Sequence, residues 1–256
     1  MELRNRELIS HSNVANWLSL PTIAAQRITL RWIEDRDQPA LYSMFSDPEV
    51  MRYWSSLPLQ GRDEAQRLVA EIHDGFRQRR FFQWGIARQT DNQLIGTATL
   101  FYLDSNNLRA EIGYALVRRE WGKGYMREAL QALLGFAFAE LNLQRIEADV
   151  DPRNRASAKL LQGLGFQKEG VLRERWRATG EVQDSEIYGL LRREWNDGTN
   201  YRVLWTHYNP AQDPHSDESP HKLLRPGTFT RFATRPLGAV SALITGCWRF
   251  IVAIFD

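Results

Sequence analysis

Apolar and polar positions along this chain follow two periods, and the switches between them outline its elements. Over 27–33 the sequence RITLRWI alternates, placing Ile28, Leu30 and Trp32 on one face of a predicted strand. DRDQPALYSMF then predicts a helix capped by Asp37 with Pro39 in its first turn, and Pro48 starts a second short helical turn. In GRDEAQRLVAEIHDGFRQR the residues Ala65, Leu68, Val69, Ile72 and Phe76 form one stripe, so 61–79 reads as an amphipathic helix. From Phe81 the period returns to two. FFQWGIAR, QLIGTATLFYL and RAEIGYALV predict strands, the last two joined through the turn DSNN as an antiparallel hairpin. A helical run to about Leu141, the strand RIEADV and the helix RASAKLLQGLGF follow, with glycine at the C-terminal end of that helix. Two last strands flank a loop containing Gly180. Upstream, 1–25 is mixed, with a short helix predicted around NVANWLSL and closed by Pro21.

Between RAEIGYALV and the long helix lies VRREWGKGYMREAL, which sets Gly122 and Gly124 at a strand-to-helix junction. Glycine accepts positive φ and lets a ligand approach the main chain closely. The first turn of a helix carries unpaired N–H groups and the positive end of the macrodipole. The combination suits an anion, usually a phosphate; a tight turn without a ligand is the plainer reading of the same glycines. Two common phosphate motifs fail here. In the nucleotide P-loop a lysine precedes Ser or Thr, whereas Lys123 precedes Gly124, and the dinucleotide fingerprint needs glycine where Arg127 stands.

Composition narrows the class. The chain has 256 residues, 43% hydrophobic and 25% charged, enough for one α/β domain with additions or two small domains. A formal net charge of +2 gives no bulk electrostatic reason for nucleic-acid binding. The single cysteine, Cys247, excludes an intrachain disulfide framework and a Cys-rich metal site, and no metal is expected. The N-terminus has charges where a signal peptide needs an apolar run, so a cytoplasmic protein is expected. Beyond about Asn200 a proline-rich polar stretch leads into the apolar run PLGAVSALITGCWRFIVAIFD. That run reads as a packed or partner-binding segment, a membrane-contacting anchor, or an unrelated tail. Arg249 interrupts it, and its length is near the lower limit for a span, so the membrane reading is the least favoured.

With its neighbours the glycine loop fits [Q/R]-x-x-G-x-[G/A] through Arg119, Gly122 and Gly124. Together with ITLRWIEDRD, SDPEVMRYW, LIGTATL, AEIGYALVRREWGKGYMREAL, IEADVDPRNRASAKLLQGLGFQKEGVLRE and DSEIYGLLRREW, in that order, the chain resembles the GNAT superfamily of acyl-CoA-dependent N-acyltransferases. Within it, the branch of ribosomal-protein alanine and serine N-acetyltransferases is the most similar. The resemblance implies an α/β GNAT fold: a mixed central sheet of six to seven strands, splayed between the fourth and fifth and flanked by helices. It divides the chain into an N-terminal extension (1–20), the acetyltransferase domain (21–200), and a linker with an apolar tail (201–256).

The resemblance also implies acetyl-CoA as co-substrate. Its pyrophosphate would lie on main-chain N–H groups over 119–125, which include Arg119, Trp121, Gly122, Lys123, Gly124 and Tyr125. Pantetheine would lie along Leu116 and Val117, where a backbone N–H near Leu116 would face the thioester oxygen. Asn154 matches the family asparagine that binds the cofactor or orients the acid. Leu161 stands where many members carry a tyrosine as general acid, so either Ser157 takes that role or the leaving thiolate needs little help. Glu111 is the first candidate base for the attacking ammonium and Glu174 the second. The ribosomal branch has a glutamate where this chain has Trp176. Tyr53, Trp54, Trp84 and Trp176 are candidates for the acceptor pocket, although tryptophans at such positions commonly pack cores. The expected reaction moves acetyl to a primary amine by direct attack, the acceptor being a protein N-terminus. A small amine such as a polyamine, amino acid or aminoglycoside is the alternative, and a non-catalytic acyl-CoA-binding module is the reading outside enzymes. A monomer or homodimer is expected.

Overall fold

A computed structural model describes residues 17–178, 181–196 and 201–204. The predicted apolar tail and most of the N-terminal extension lie outside them. Among the described residues nine strands form one sheet in the order β7-β8-β6-β5-β4-β3-β2-β1-β9. They are β1 (Thr22–Ala24), β2 (Ile28–Arg31), β3 (Phe81–Arg88), β4 (Leu94–Asp104), β5 (Arg109–Leu116), β6 (Arg145–Val150), β7 (Gln167–Ala178), β8 (Glu181–Leu191) and β9 (Arg202–Leu204). Five α-helices interrupt them: α1 (Gln38–Phe45), α2 (Pro48–Met51), α3 (Arg62–Arg77), α4 (Tyr125–Ala139) and α5 (Arg155–Gly163).

The strand count exceeds the expected six to seven because β1 and β9 have three residues each, too few for an alternation to show. β1 moves every later strand up by one, so the splay expected after the fourth strand falls after β5. Where a helix was predicted around NVANWLSL, the described part from Trp17 onward is a bend leading into β1. β9 pairs with β1 from Thr22↔Leu204 to Ala24↔Arg202, so the sheet runs past the boundary expected at 200. Just before β9, the Tyr201 ring lies where a Cβ on Gly135 of α4 would sit, 2.4 Å from it, so only glycine permits this approach.

Asp37 precedes α1 as expected but makes no side-chain cap. Its buried carboxylate instead takes two hydrogen bonds of 2.8 Å from Arg31 and one of 2.9 Å from the Glu34 N–H. The buried guanidinium offers a stronger, charge-assisted partner than a helix N–H. Asp47 does cap α2, accepting from the Glu49 N–H at 2.9 Å. The predicted stripe of α3 is buried in full, and α3 and α1 pack together over β3 and β4. α4 lies against β1, β2 and β4.

The site is positioned by one irregularity. Every neighbouring pair in the sheet is antiparallel except β5 and β6, which run parallel and pair only over Arg109↔Arg145, Ala110↔Ile146 and Glu111↔Glu147. Beyond Glu111 the two strands part. β5 continues to Leu116 on β4, and β6 continues to Val150 on β8.

Candidate active site

The β5 edge facing this gap has main-chain groups to offer. Val117 N–H donates to the Ile95 carbonyl on the β4 side at 2.9 Å. By the alternation of an antiparallel ladder, Tyr114 and Leu116 therefore direct their N–H and C=O groups to the opposite edge, into the gap. The Trp121 indole N–H takes the Leu116 carbonyl at 2.8 Å, tying the glycine loop to the end of β5.

The loop has the backbone that its sequence predicts. Gly122 and Gly124 have φ of 70° and 79°, in the left-handed region, and Gly124 occupies the N-cap of α4 without a side-chain cap. A Cβ on Gly122 would meet nothing within 4 Å, so the loop is open on that side. Leu116, Trp121, Gly122, Gly124 and Tyr125 line one cleft of about 230 Å³ with Ala156 and Leu160 of α5. Val117 and Arg119 line a separate cleft of about 520 Å³ with Ser43 and Asp47. Lys123 donates to Glu120 at 3.0 Å, so its charge is already engaged. Glu120, missed in the sequence, is a buried carboxylate that also accepts from Arg88 at 2.9 Å. Arg27 on the other flank reaches the Lys123 carbonyl at 3.0 Å and pairs with Glu128 of α4 at 2.7 Å.

On the α5 side, Asn154 caps the helix by accepting from the Ser157 N–H at 3.1 Å, and both residues are buried. Ser157 Oγ lies 2.9 Å from the Tyr114 hydroxyl. Leu161 is a fully buried core residue.

Glu111 is the last β5 residue paired with β6, directly opposite Glu147. Its carboxyl is pushed up to about 7, first by burial and then by the negative charges of Asp149 and Glu147; Arg175 and Arg109 pull in the opposite direction. A carboxylate near neutrality suits a general base. The second candidate base is placed differently. Glu174 is exposed at an irregularity in the β7–β8 ladder, has φ of 53°, and its N–H donates to Asp184 at 2.8 Å. The β6 carboxylate whose charge bears most on Glu111 is Asp149, which the sequence reading passed over. It is buried and accepts from the Trp176 indole N–H at 3.2 Å.

The four aromatic candidates separate. Tyr53 and Trp176 form a small buried cluster apart from the main core, and the Tyr53 hydroxyl donates to the Arg153 carbonyl at 3.3 Å. Trp54 belongs to the main core, edge-on to Phe45 at 5.4 Å. Trp84 is fully buried, edge-on to Phe136 at 5.7 Å, and donates to the Pro21 carbonyl at 2.9 Å. Both are core residues, Trp84 packing on Phe136 of α4 and Trp54 on Phe45 of α1. Among the described residues no cluster could hold a metal ion, and no helix is long and apolar enough to cross a membrane.

A parallel pair that splits, with a glycine loop leading into a helix on one arm and a capped helix on the other, defines an acetyltransferase of the GNAT class. The acetyltransferase (GNAT) domain family matches residues 27–167. The chain is 40% identical over 176 residues to the uncharacterized N-acetyltransferase p20 of Bacillus licheniformis, covering 69% of this chain and 99% of that protein. It is 26% identical to the [ribosomal protein uS5]-alanine N-acetyltransferase of Escherichia coli, covering 69% and 93%. The solved spermidine N-acetyltransferase of Vibrio cholerae in complex with CoA and spermine superposes with a TM-score of 0.59 at 24% identity, covering 66% and 97%. The chain belongs to the GNAT family and is an N-acetyltransferase.

Proposed function

We propose that this N-acetyltransferase takes its acetyl group from acetyl-CoA and passes it to a primary amine by direct attack while both are bound. The observation that carries this reading is the opening beyond Glu111, with the open glycine loop at one end and a carboxyl near neutrality at the other. The residues present fit the co-substrate. Main-chain N–H groups at Gly122 and Gly124 would hold the pyrophosphate, and the gap-facing edge at Tyr114 and Leu116 would pair with the pantetheine arm. Bound there, acetyl-CoA supplies an activated thioester. Glu111 removes the proton that the attacking ammonium must lose, directly or through water, and the Leu116 N–H faces the developing oxyanion. Ser157 assists the departing thiolate.

For the acceptor we favour a protein N-terminus over a polyamine. Of the acidic residues suited to a polycation (Asp47, Glu49, Asp63 and Glu64), three are engaged locally: Asp47 caps α2, while Asp63 and Glu64 pair with Arg67. The rings beside Asp149 already face cations, with Arg52 and Arg153 over Tyr53 at 5.5 and 5.9 Å and Arg175 over Trp176 at 5.2 Å. A second extended cation would meet repulsion there, whereas a single ammonium at Glu111 would not. The domain responsible extends at least through β9. The test is free-thiol release from acetyl-CoA over a panel of N-terminal peptides, polyamines, amino acids and aminoglycosides. Release with peptides supports the reading. Release with polyamines alone would reverse the acceptor choice, and CoA binding without release would mark a binding module.

A further inference from the structure

The Tyr114–Ser157 hydrogen bond joins the two arms of the split sheet. Tyr114 is on β5, and Ser157 is on the helix that follows β6. Both side chains are fully buried, and α5 brings the flanking Ala156 and Leu160 to the wall of the glycine-loop cleft. We propose that Tyr114 is a positioning residue: its hydroxyl donates to Ser157 Oγ and so turns the serine hydrogen toward the sulfur that leaves during transfer. This rests on the acetyl-CoA reading above.

The geometry allows either hydroxyl to donate, and we take the phenol as the donor. A phenol carries one hydrogen and Ser157 Oγ is the acceptor that the structure gives it. Whichever hydroxyl accepts keeps a hydrogen for a further partner, and with the phenol as donor that free hydrogen is the serine's. Burial drives the Tyr114 phenol well above its ordinary range and outweighs the lowering by the Ser157 hydrogen bond, with Tyr188 adding a smaller rise, so it keeps its proton at any working pH. Tyr188 in turn donates to Glu186 at 2.8 Å, and Lys168 pairs with Glu186 at 2.7 Å, leaving that carboxylate occupied away from Ser157. The Asn154 cap fixes the serine backbone from below.

Charge and protons balance without proton loss from Tyr114. As the amine nitrogen forms its bond to the acetyl carbon, the carbon–sulfur bond breaks and its electron pair goes to sulfur. On becoming an amide the ammonium loses two protons: Glu111 takes the first, and the second goes to the departing thiolate or to water. The Ser157 hydrogen bond stabilises the thiolate, and hydrogen bonds in series strengthen one another, so loss of the phenol weakens the serine as a donor.

The test uses CoA itself and needs no acceptor. Ultraviolet absorbance of the thiolate, followed against pH in the complex of the full chain with CoA, gives the pKa of the bound thiol. Calorimetry confirms CoA binding for each variant. Hydrogen bonds to charged groups predict a rise of about 1–2 units for Ser157→Ala. Tyr114→Phe, which keeps the ring, should show a smaller rise in the same direction, and Tyr114→Phe/Ser157→Ala should add nothing to Ser157→Ala. A rise for Ser157→Ala with none for Tyr114→Phe would overturn the role of Tyr114 alone. No rise for Ser157→Ala would overturn both roles while leaving CoA binding intact. Absence of CoA binding in the unmodified chain would instead remove the underlying reading.

Discussion

The Trp176 indole N–H reaches both carboxylate oxygens of Asp149, at 3.2 Å each, and holds that charge beside Glu111. Asp149 is the largest single charge raising the Glu111 carboxyl, after burial itself. Glu111 must be ionised to act as a base, so activity should rise with pH through about 7 and then level off. Asp149→Asn removes a repelling charge and frees Arg175, and both changes lower the Glu111 value. The acidic limb of the pH–rate profile should therefore move to lower pH. Glu111→Gln should cost about 10²–10⁴-fold near neutrality and recover partly at high pH, where free amine is commoner. An unmoved limb in Asp149→Asn would separate the two residues.

The same shift has a consequence for stability. The Glu111 carboxyl is raised in the fold from 4.5 to about 7, so the folded chain binds more protons than the unfolded chain between those values. Its favourable contribution is complete below about pH 4.5 and is lost as pH rises through about 7. Glu111→Gln should unfold at a higher temperature than the unmodified protein at pH 8, with the difference vanishing at low pH. Thermal melts across that range check it.

At the glycine loop, Gly124→Val should weaken CoA binding severely. The left-handed backbone costs a non-glycine residue roughly 1–2 kcal/mol, and the new Cβ would sit 3.4 Å from Arg27 Nη2. The strain is modest for folding, but it disturbs the N–H groups at the head of α4. Calorimetry showing unchanged CoA affinity would remove the loop from the site.

Past Asn200 the structure changes what truncation should do. A chain ending at Leu204 retains β9 and the Tyr201 ring over Gly135, and should melt like the full protein and bind CoA. A chain ending at Asn200 should still fold, because β9 is a three-residue edge strand, but with a loss of about 1–2 kcal/mol from the half-buried Tyr201 contacts. Equal melting points for the two truncated chains would show that β9 contributes nothing.

Long periodic segments carried most of the fold into view. The α3 stripe and the strands β3 to β6 were readable because each has 6 to 16 residues in which to show a pattern, whereas β1 and β9 are too short to have one. The loop glycines were legible because only positive φ requires them at that junction. Tyr114 was hidden inside the apolar run IGYALV, where a tyrosine looks like core, and only the spatial approach of α5 reveals its partner. Asp149 left a faint signal: in RIEADV the acids Glu147 and Asp149 alternate with Ile146, Ala148 and Val150, marking an acidic face on an otherwise buried strand. Trp84 and Trp54 gave no such warning, because aromatic residues in strands and near helix ends read alike whether they line a pocket or fill a core.

Direct transfer between two bound substrates is the central claim, and initial-rate kinetics test it most directly. Thiol release is measured while acetyl-CoA and the best amine of the panel are varied against each other, and the protein is weighed after exposure to acetyl-CoA alone. Intersecting reciprocal plots and an unmodified protein mass are the predicted result. Parallel plots, with an acetyl group retained on the protein, would contradict it.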